Sequence, residues 1–240
     1  CVRWHANTPE ELKIKTAEVI RAGFGHPKVF NDEIAIPAAL AKGRSLQEAR
    51  NYAVVGCVEI DTPGYEYGWH DAAYFSLTKV LELAINDGKC LGCADYCPRW
   101  SICGSQGLKL GPSTGSLADF TSFEQVLEAY EKQLEYWVDL MVSGIEIMDI
   151  CHQQLKPLPY LSLLMNDCIE KGMDVTVGGA RFNHTGPQAA GIGSVADGLS
   201  VIRQLIFEEK KTTGQEILQA LQDNWEGHEA LYALVNSDKV

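Results

Sequence analysis

The chain has 240 residues, enough for one large domain or two small ones, and its hydrophobic fraction of 46% supports a real core. Its 32 acidic residues outnumber 20 basic ones for a net charge of −12, with no basic run and no aromatic-spaced Lys/Arg patch, which argues against a nucleic-acid partner. No apolar stretch reaches the length of a membrane span, and no charged-then-apolar leader is visible, so no membrane partner is expected.

The first residue is Cys1 and the last residues are polar, so a piece incomplete at both ends is expected. In chain order, Thr8-Pro9-Glu10-Glu11 reads as a capping box opening a helix to about Arg21, stopped at Gly23. Ser45-Leu46-Gln47-Glu48 reads as a second box opening a short helix to about Tyr52. Ala53-Val54-Val55-Gly56 has the composition of a short buried strand. Asp71 is placed to cap a helix whose apolar face is Leu77, Val80, Leu81, Ala84 and Ile85, ending at Gly88. Ser122 opens a longer helix towards Asp149, with Leu127, Tyr130, Leu134, Val138 and Met141 on its inner side. Further helices are expected over about 159–171, 194–209 and 215–223. The pattern is α/β and helix-rich, with few, short strands.

The eight cysteines, with no secretion signal beside them, point to a reducing cytoplasm, where thiols serve chemistry or metals more often than disulfides. Cys57 follows the short strand and stands two residues before Glu59. On an extended loop the two side chains would project to one side, setting a sulfur and a carboxylate against one substrate. By itself the spacing favours the plainer alternative, a small buried hydrophobe beside a solvated glutamate.

Cys90, Cys93, Cys97 and Cys103 fall within 14 residues and form a Cys-rich loop over 89–104. Four thiolates so spaced can close on zinc or hold an iron–sulfur cluster, and the competing reading is a loop of reduced thiols. Gly191-x-Gly193-x-x-Ala196 mimics a dinucleotide fingerprint, but no strand is expected before it. Cys151, His152 and Cys168 fall on helices as core or flank residues.

Gly56-Cys57-Val58-Glu59 resembles the active-site signature of glycyl radical enzymes, the pyruvate formate-lyase-like superfamily. Arg3-Trp4-His5, Phe30-Asn31-Asp32-Glu33, Ala49-Arg50-Asn51-Tyr52-Ala53, Asn86-Asp87-Gly88, Gly178-Gly179-Ala180-Arg181-Phe182-Asn183 and Gly186-Pro187-Gln188 are similar to that superfamily as well, in the same order. Gly68-Trp69-His70-Asp71-Ala72-Ala73 resembles the B12-independent glycerol and propanediol dehydratases. Ile60 departs from their usual proline and is closer to arylacetate decarboxylases, and Asp197-Gly198-Leu199 replaces a more usual Asp-Ser-Leu. The single cysteine at position 57 disfavours formate C-acetyltransferase chemistry, which uses two adjacent cysteines.

The resemblance implies that residues 1–240 are part of one catalytic domain, a portion of a ten-stranded α/β barrel with Cys57 on a loop in its centre. It implies Cys57 as the thiyl-radical cysteine, Glu59 as acid/base, Asp71 holding a substrate hydroxyl, and His70 and Tyr74 near the substrate. It further implies a protein-derived glycyl radical, a radical S-adenosylmethionine activase as partner, a small-molecule substrate and a homodimer at full length. The Arg-Val-x-Gly-Tyr run that bears the radical is not found here, so the 240-residue piece is expected to be inactive alone, and the uncovered strand edges and apolar surface of a partial barrel are expected to make it poorly soluble. Decarboxylation or another carbon–heteroatom lyase is the alternative to dehydration. A metal-binding module and a nucleotide-binding protein are the alternatives outside the superfamily.

Overall fold

The computed structural model describes residues 1–91 and 107–237. Its chain divides into two compact units, Cys1–His70 with Asp149–Gly186, and Asp71–Met148 with Pro187–Val240. Among the described residues the strands form three two-stranded pairs.

In the first unit, β1 (Val2–Trp4) pairs in parallel with β2 (Val29–Asn31), and α1 (Glu10–Arg21) connects them. The capping box expected at Thr8 does not form: its hydroxyl instead accepts a hydrogen bond from the His5 N–H at 2.9 Å, and Pro9 caps the helix without a side-chain bond. α2 (Asp32–Ala41), which contains Pro37, was not expected. Asn31 starts α2 by accepting from the Glu33 N–H, and the helix tolerates one missing donor at Pro37. α3 (Leu46–Arg50) opens on the full Ser45/Glu48 capping box, as expected.

β3 (Ala53–Val55) and β4 (Glu59–Asp61) form an antiparallel hairpin in which Val55 faces Glu59 and Ala53 faces Asp61. β3 is not buried as its composition suggested; Val55 is exposed. A small core of Cys168, Val175 and Ala180, with Tyr67, Leu161 and Met165 packed on it, holds the rest of this unit. The single helix expected over 159–171 is two, α6 (Pro159–Leu164) and α7 (Cys168–Lys171), separated where Asp167 turns left-handed at φ 76°.

β5 (Glu66–Ser76) and β6 (Phe182–Ala190) pair with each other, and the divide between the units falls inside both strands and inside the long helix α5 (Phe123–Leu155). These two strands are the main feature that the sequence reading missed. β5 runs on to Ser76, so Asp71 does not cap α4 (Leu77–Ile85); Ser76 does, through the Lys79 N–H. The apolar face of α4 is as expected, with Val80, Leu81, Ala84 and Ile85 buried.

α5 buries Val126, Ala129 and Gln133; of the expected stripe, Tyr130 packs on the core, Leu134, Val138 and Met141 are half-buried, and Leu127 is exposed. The polar Gln133 belongs inside because its amide donates to the Pro112 carbonyl and the Thr114 hydroxyl. In the second unit, α8 (Ile192–Val201) continues as a π-helical turn over Ile202–Glu208, and α9 (Gly214–Gln222) opens on a Thr213/Glu216 capping box. A final helix, α10 (Glu229–Val235), was not expected. The second unit's core gathers Leu81, Ile85, Leu117, Val126, Val195, Ile202, Ile217 and Leu218.

Candidate active site

Gly56, Cys57 and Val58 form the three-residue loop that closes the β3–β4 hairpin. Gly56 takes a left-handed φ of 61°, which a side chain would strain. A Cβ there would also lie 2.7 Å from Glu59 Oε2. Cys57 sits at the tip of the loop and is exposed, which removes the reading of it as a small buried hydrophobe.

The loop is tight rather than extended, so Glu59 reaches the cysteine by hairpin closure. Its Oε2 accepts the backbone N–H of Cys57 at 2.7 Å and that of Val58 at 2.8 Å. Hydrogen bonds from the Val58 N–H, from its own N–H and from Cys57, with the nearby His70, hold the Glu59 carboxyl below its ordinary value. It is therefore ionised at neutral pH, a proton acceptor weaker than a free glutamate because the same bonds stabilise its charge.

Side chains alternate along a strand, so Glu59 and Asp61 share one face of β4. By the same alternation Glu66, Gly68 and His70 share a face of β5, and His184 and Gly186 share a face of β6. These faces meet within the first unit. His70 Nε2 lies 3.1 Å from Asp61 Oδ2, and His184 Nε2 lies 3.8 Å from Asp61 Oδ1. His184 Nδ1 lies 3.0 Å from Glu66 Oε1, and Glu66 is paired with Arg44 and accepts the Thr62 N–H at 2.9 Å. The Glu66 side chain is 1% exposed. Burial pushes its carboxyl up, but the bonds from His184 and Thr62 and the Arg44 charge outweigh that and hold it at about 2.

His70, expected near the substrate and beside Asp71, is thus engaged with Asp61. Trp69 packs edge-on against His152 at 4.6 Å between ring centroids. Asp71 and Tyr74 belong to the second unit. Asp71 takes a left-handed φ of 55° and accepts a hydrogen bond from Gln188 Nε2. Tyr74 is exposed. Asp61, Glu66, Arg44 and His184 were missed as site residues. The signal available was the alternation Glu66-x-Gly68-x-His70, which becomes legible only once the segment is read as a strand.

Of the cysteine cluster, Cys93, Cys97 and Cys103 lie outside the described residues. Cys90 is buried, and Lys79 Nζ donates to its sulfur at 3.1 Å while also holding Glu82. At the Gly191 pattern a strand does precede the helix, contrary to the sequence reading. A Cβ on Gly191 would lie 2.8 Å from the Thr78 methyl, so this glycine serves close packing.

A family model described as pyruvate formate lyase-like matches residues 1–239. The chain belongs to the pyruvate formate-lyase-like family. It is 53% identical over 240 residues to (2S)-3-sulfopropanediol dehydratase of Klebsiella oxytoca, covering 100% of this chain and 28% of that protein. It is 35% identical to trans-4-hydroxy-L-proline dehydratase of Clostridioides difficile, over 96% of this chain and 27% of that protein. Among solved structures, the glycerol-bound B12-independent glycerol dehydratase from Clostridium butyricum superposes with a TM-score of 0.83 at 36% identity, covering 97% of this chain and 28% of that one. The α/β fold therefore matches a portion of a glycyl radical enzyme, and the chain spans little more than a quarter of these relatives. Among the described residues no helix is long and apolar enough to cross a membrane.

Proposed function

We propose that this chain carries the radical cysteine and the base of a glycyl radical dehydratase acting on a small hydroxylated substrate. The observation that carries the reading is Cys57, exposed at the tip of a hairpin loop that also holds an ionised Glu59. The glycyl radical, borne outside this chain and installed by a radical S-adenosylmethionine activase, would supply the oxidising equivalent to Cys57. The exposed thiol fits that role, since both the radical donor and the substrate must reach its sulfur.

With its sulfur as a radical, Cys57 takes a hydrogen atom from a hydroxyl-bearing carbon; S–H forms as C–H breaks. Glu59 accepts that hydroxyl's proton, and the C–O bond on the neighbouring carbon breaks. The departing hydroxide leaves as water with the proton Glu59 returns. The product radical then takes the hydrogen atom back from Cys57. Asp71 would hold a substrate hydroxyl and fix the reacting geometry, and Tyr74 would be a further substrate contact.

The 53% identity to a sulfopropanediol dehydratase makes (2S)-3-sulfopropanediol the first substrate to test, followed by glycerol, propanediol, hydroxyproline and arylacetates. The full-length enzyme would be a cytoplasmic homodimer. In the cysteine cluster, zinc or an iron–sulfur cluster is a second proposal, decided by metal analysis of anaerobically purified protein.

The test is electron paramagnetic resonance of the anaerobically activated full-length protein. A glycine-centred signal with turnover is expected. Cys57→Ser should keep the signal and lose turnover by a factor of at least 10³. No glycine signal after competent activation refutes the reading. The 240-residue piece with activase should show no turnover.

A further inference from the structure

Asp61, His70 and His184 each offer one ligand atom, and these three atoms lie within 4.8 Å of one another. We propose that they form a binding site for a divalent transition-metal ion, zinc(II) or iron(II).

A histidine that ligates a metal through one ring nitrogen usually donates from the other to a carboxylate, which fixes its tautomer. His184 Nδ1 lies 3.0 Å from Glu66 Oε1, and Glu66 is buried and itself held by Arg44 and the Thr62 N–H. With the proton on Nδ1, the Nε2 lone pair faces Asp61 Oδ1 across 3.8 Å. That oxygen is buried and has no hydrogen-bond partner. Two acceptors facing each other repel, the more so where one of them is a buried oxygen without a partner, and an intervening cation relieves both.

The spacing fits. An ion with bonds of about 2.0–2.1 Å in tetrahedral geometry sets its ligand atoms roughly 3.3 Å apart. His70 Nε2 lies 3.1 Å from Asp61 Oδ2 and His184 Nε2 lies 3.8 Å from Asp61 Oδ1, the two oxygens of one carboxylate, and one ligand atom from each residue lies within 4.8 Å of the other two, so a small inward adjustment of the side chains seats the ion. Space exists as well. The point where a Gly68 Cβ would stand is 2.5 Å from His184 Nε2 and 2.6 Å from His70 Nε2, so glycine leaves a cradle between the two imidazoles. Two imidazoles and one carboxylate suit zinc(II) or iron(II) and leave a coordination position open. The side chains of Asp61, His70 and His184 are 13%, 18% and 35% exposed, shielded yet accessible to an ion.

The test needs no activation, so it stands apart from the radical reading. Full-length protein with Cys90, Cys93, Cys97 and Cys103 replaced by serine is stripped with chelator, then titrated anaerobically with zinc(II) and with cobalt(II). One equivalent of zinc should bind, and the cobalt form should show d–d bands without a thiolate charge-transfer band. Asp61→Asn and His184→Gln should each weaken binding at least 10-fold. Glutamine can keep a donor towards Glu66, which guards against simple misfolding. Binding undiminished in both variants overturns the proposal. If the variants do not fold, the parent decides: no zinc equivalent, or a cobalt spectrum with thiolate character, overturns it.

Discussion

A methyl group on Gly68 would stand 2.5 Å from His184 Nε2, well inside van der Waals contact, with both histidines already committed to carboxylates. Gly68→Ala should therefore push the two rings apart and destabilise the first unit by about 1–3 kcal/mol, the usual cost of overpacking. Urea midpoints of the full-length protein measure it, and a variant within 0.5 kcal/mol of the parent would show that the rings move freely. At this scale Cys57 and Glu59 stood out through the resemblance of Gly56-Cys57-Val58-Glu59 to a family signature, since their spacing alone favoured a buried thiol, and the structure sets both on one hairpin. Asp61 and His184 did not. They are 123 positions apart in sequence, and only strand pairing brings them together. His70 was singled out as a residue near the substrate, and the structure engages it with Asp61, nine positions earlier on the neighbouring hairpin.

Elements with strong local signals were legible and those defined by long-range contacts were not. The Ser45/Glu48 box formed as read because both of its bonds are made within four residues. Glu48 also pairs with Arg181 at 3.0 Å, so this short helix anchors a distant segment of the same unit. Ser45→Ala should cost about 1 kcal/mol, read from the urea midpoint, and a loss below 0.3 kcal/mol would mean that tertiary contacts alone hold α3. Thr8 carried the same signal and failed, since a preceding turn captured its hydroxyl. α2 holds Pro37 inside it and α5 turns the polar Gln133 inward, two features that local propensity disfavours and the surrounding contacts accept. β5 and β6 contain Gly, Pro and His at positions that propensity assigns to loops, and their pairing overrides that preference.

Over the whole chain, the family was legible because its motifs recur in order from Arg3 to Gln188, although the barrel's strands were not individually visible in the pattern. Charge provides a whole-molecule test. In the first unit Glu66 is held at about 2 against an ordinary 4.5, although burial alone would raise it. Asp174 is likewise held at about 2 against 3.8, where burial opposes bonds from the Thr176 N–H and hydroxyl, the Ser162 hydroxyl and the Leu158 N–H. A carboxyl depressed in the folded state stabilises fully above its unfolded value, and that stability is lost as pH falls through the folded value. The window is therefore pH 5 down to about 2. Glu66, nearly fully buried, contributes on the order of 2–3 kcal/mol at neutral pH. Asp87 and Glu216 in the second unit are lowered too, through Lys109 in one case and the Thr213 N–H in the other. Neither reaches the deep shift found for Glu66, so acid should open the first unit before the second. Hydrogen exchange, corrected for intrinsic rates, should show protection falling first in peptides covering 59–70 and 158–176. Glu66→Gln, which cannot titrate, should flatten the pH dependence over 59–70 while leaving that over 158–176 in place. Equal loss of protection across both units, unchanged by Glu66→Gln, would mean that acid acts through the net charge of the whole protein instead.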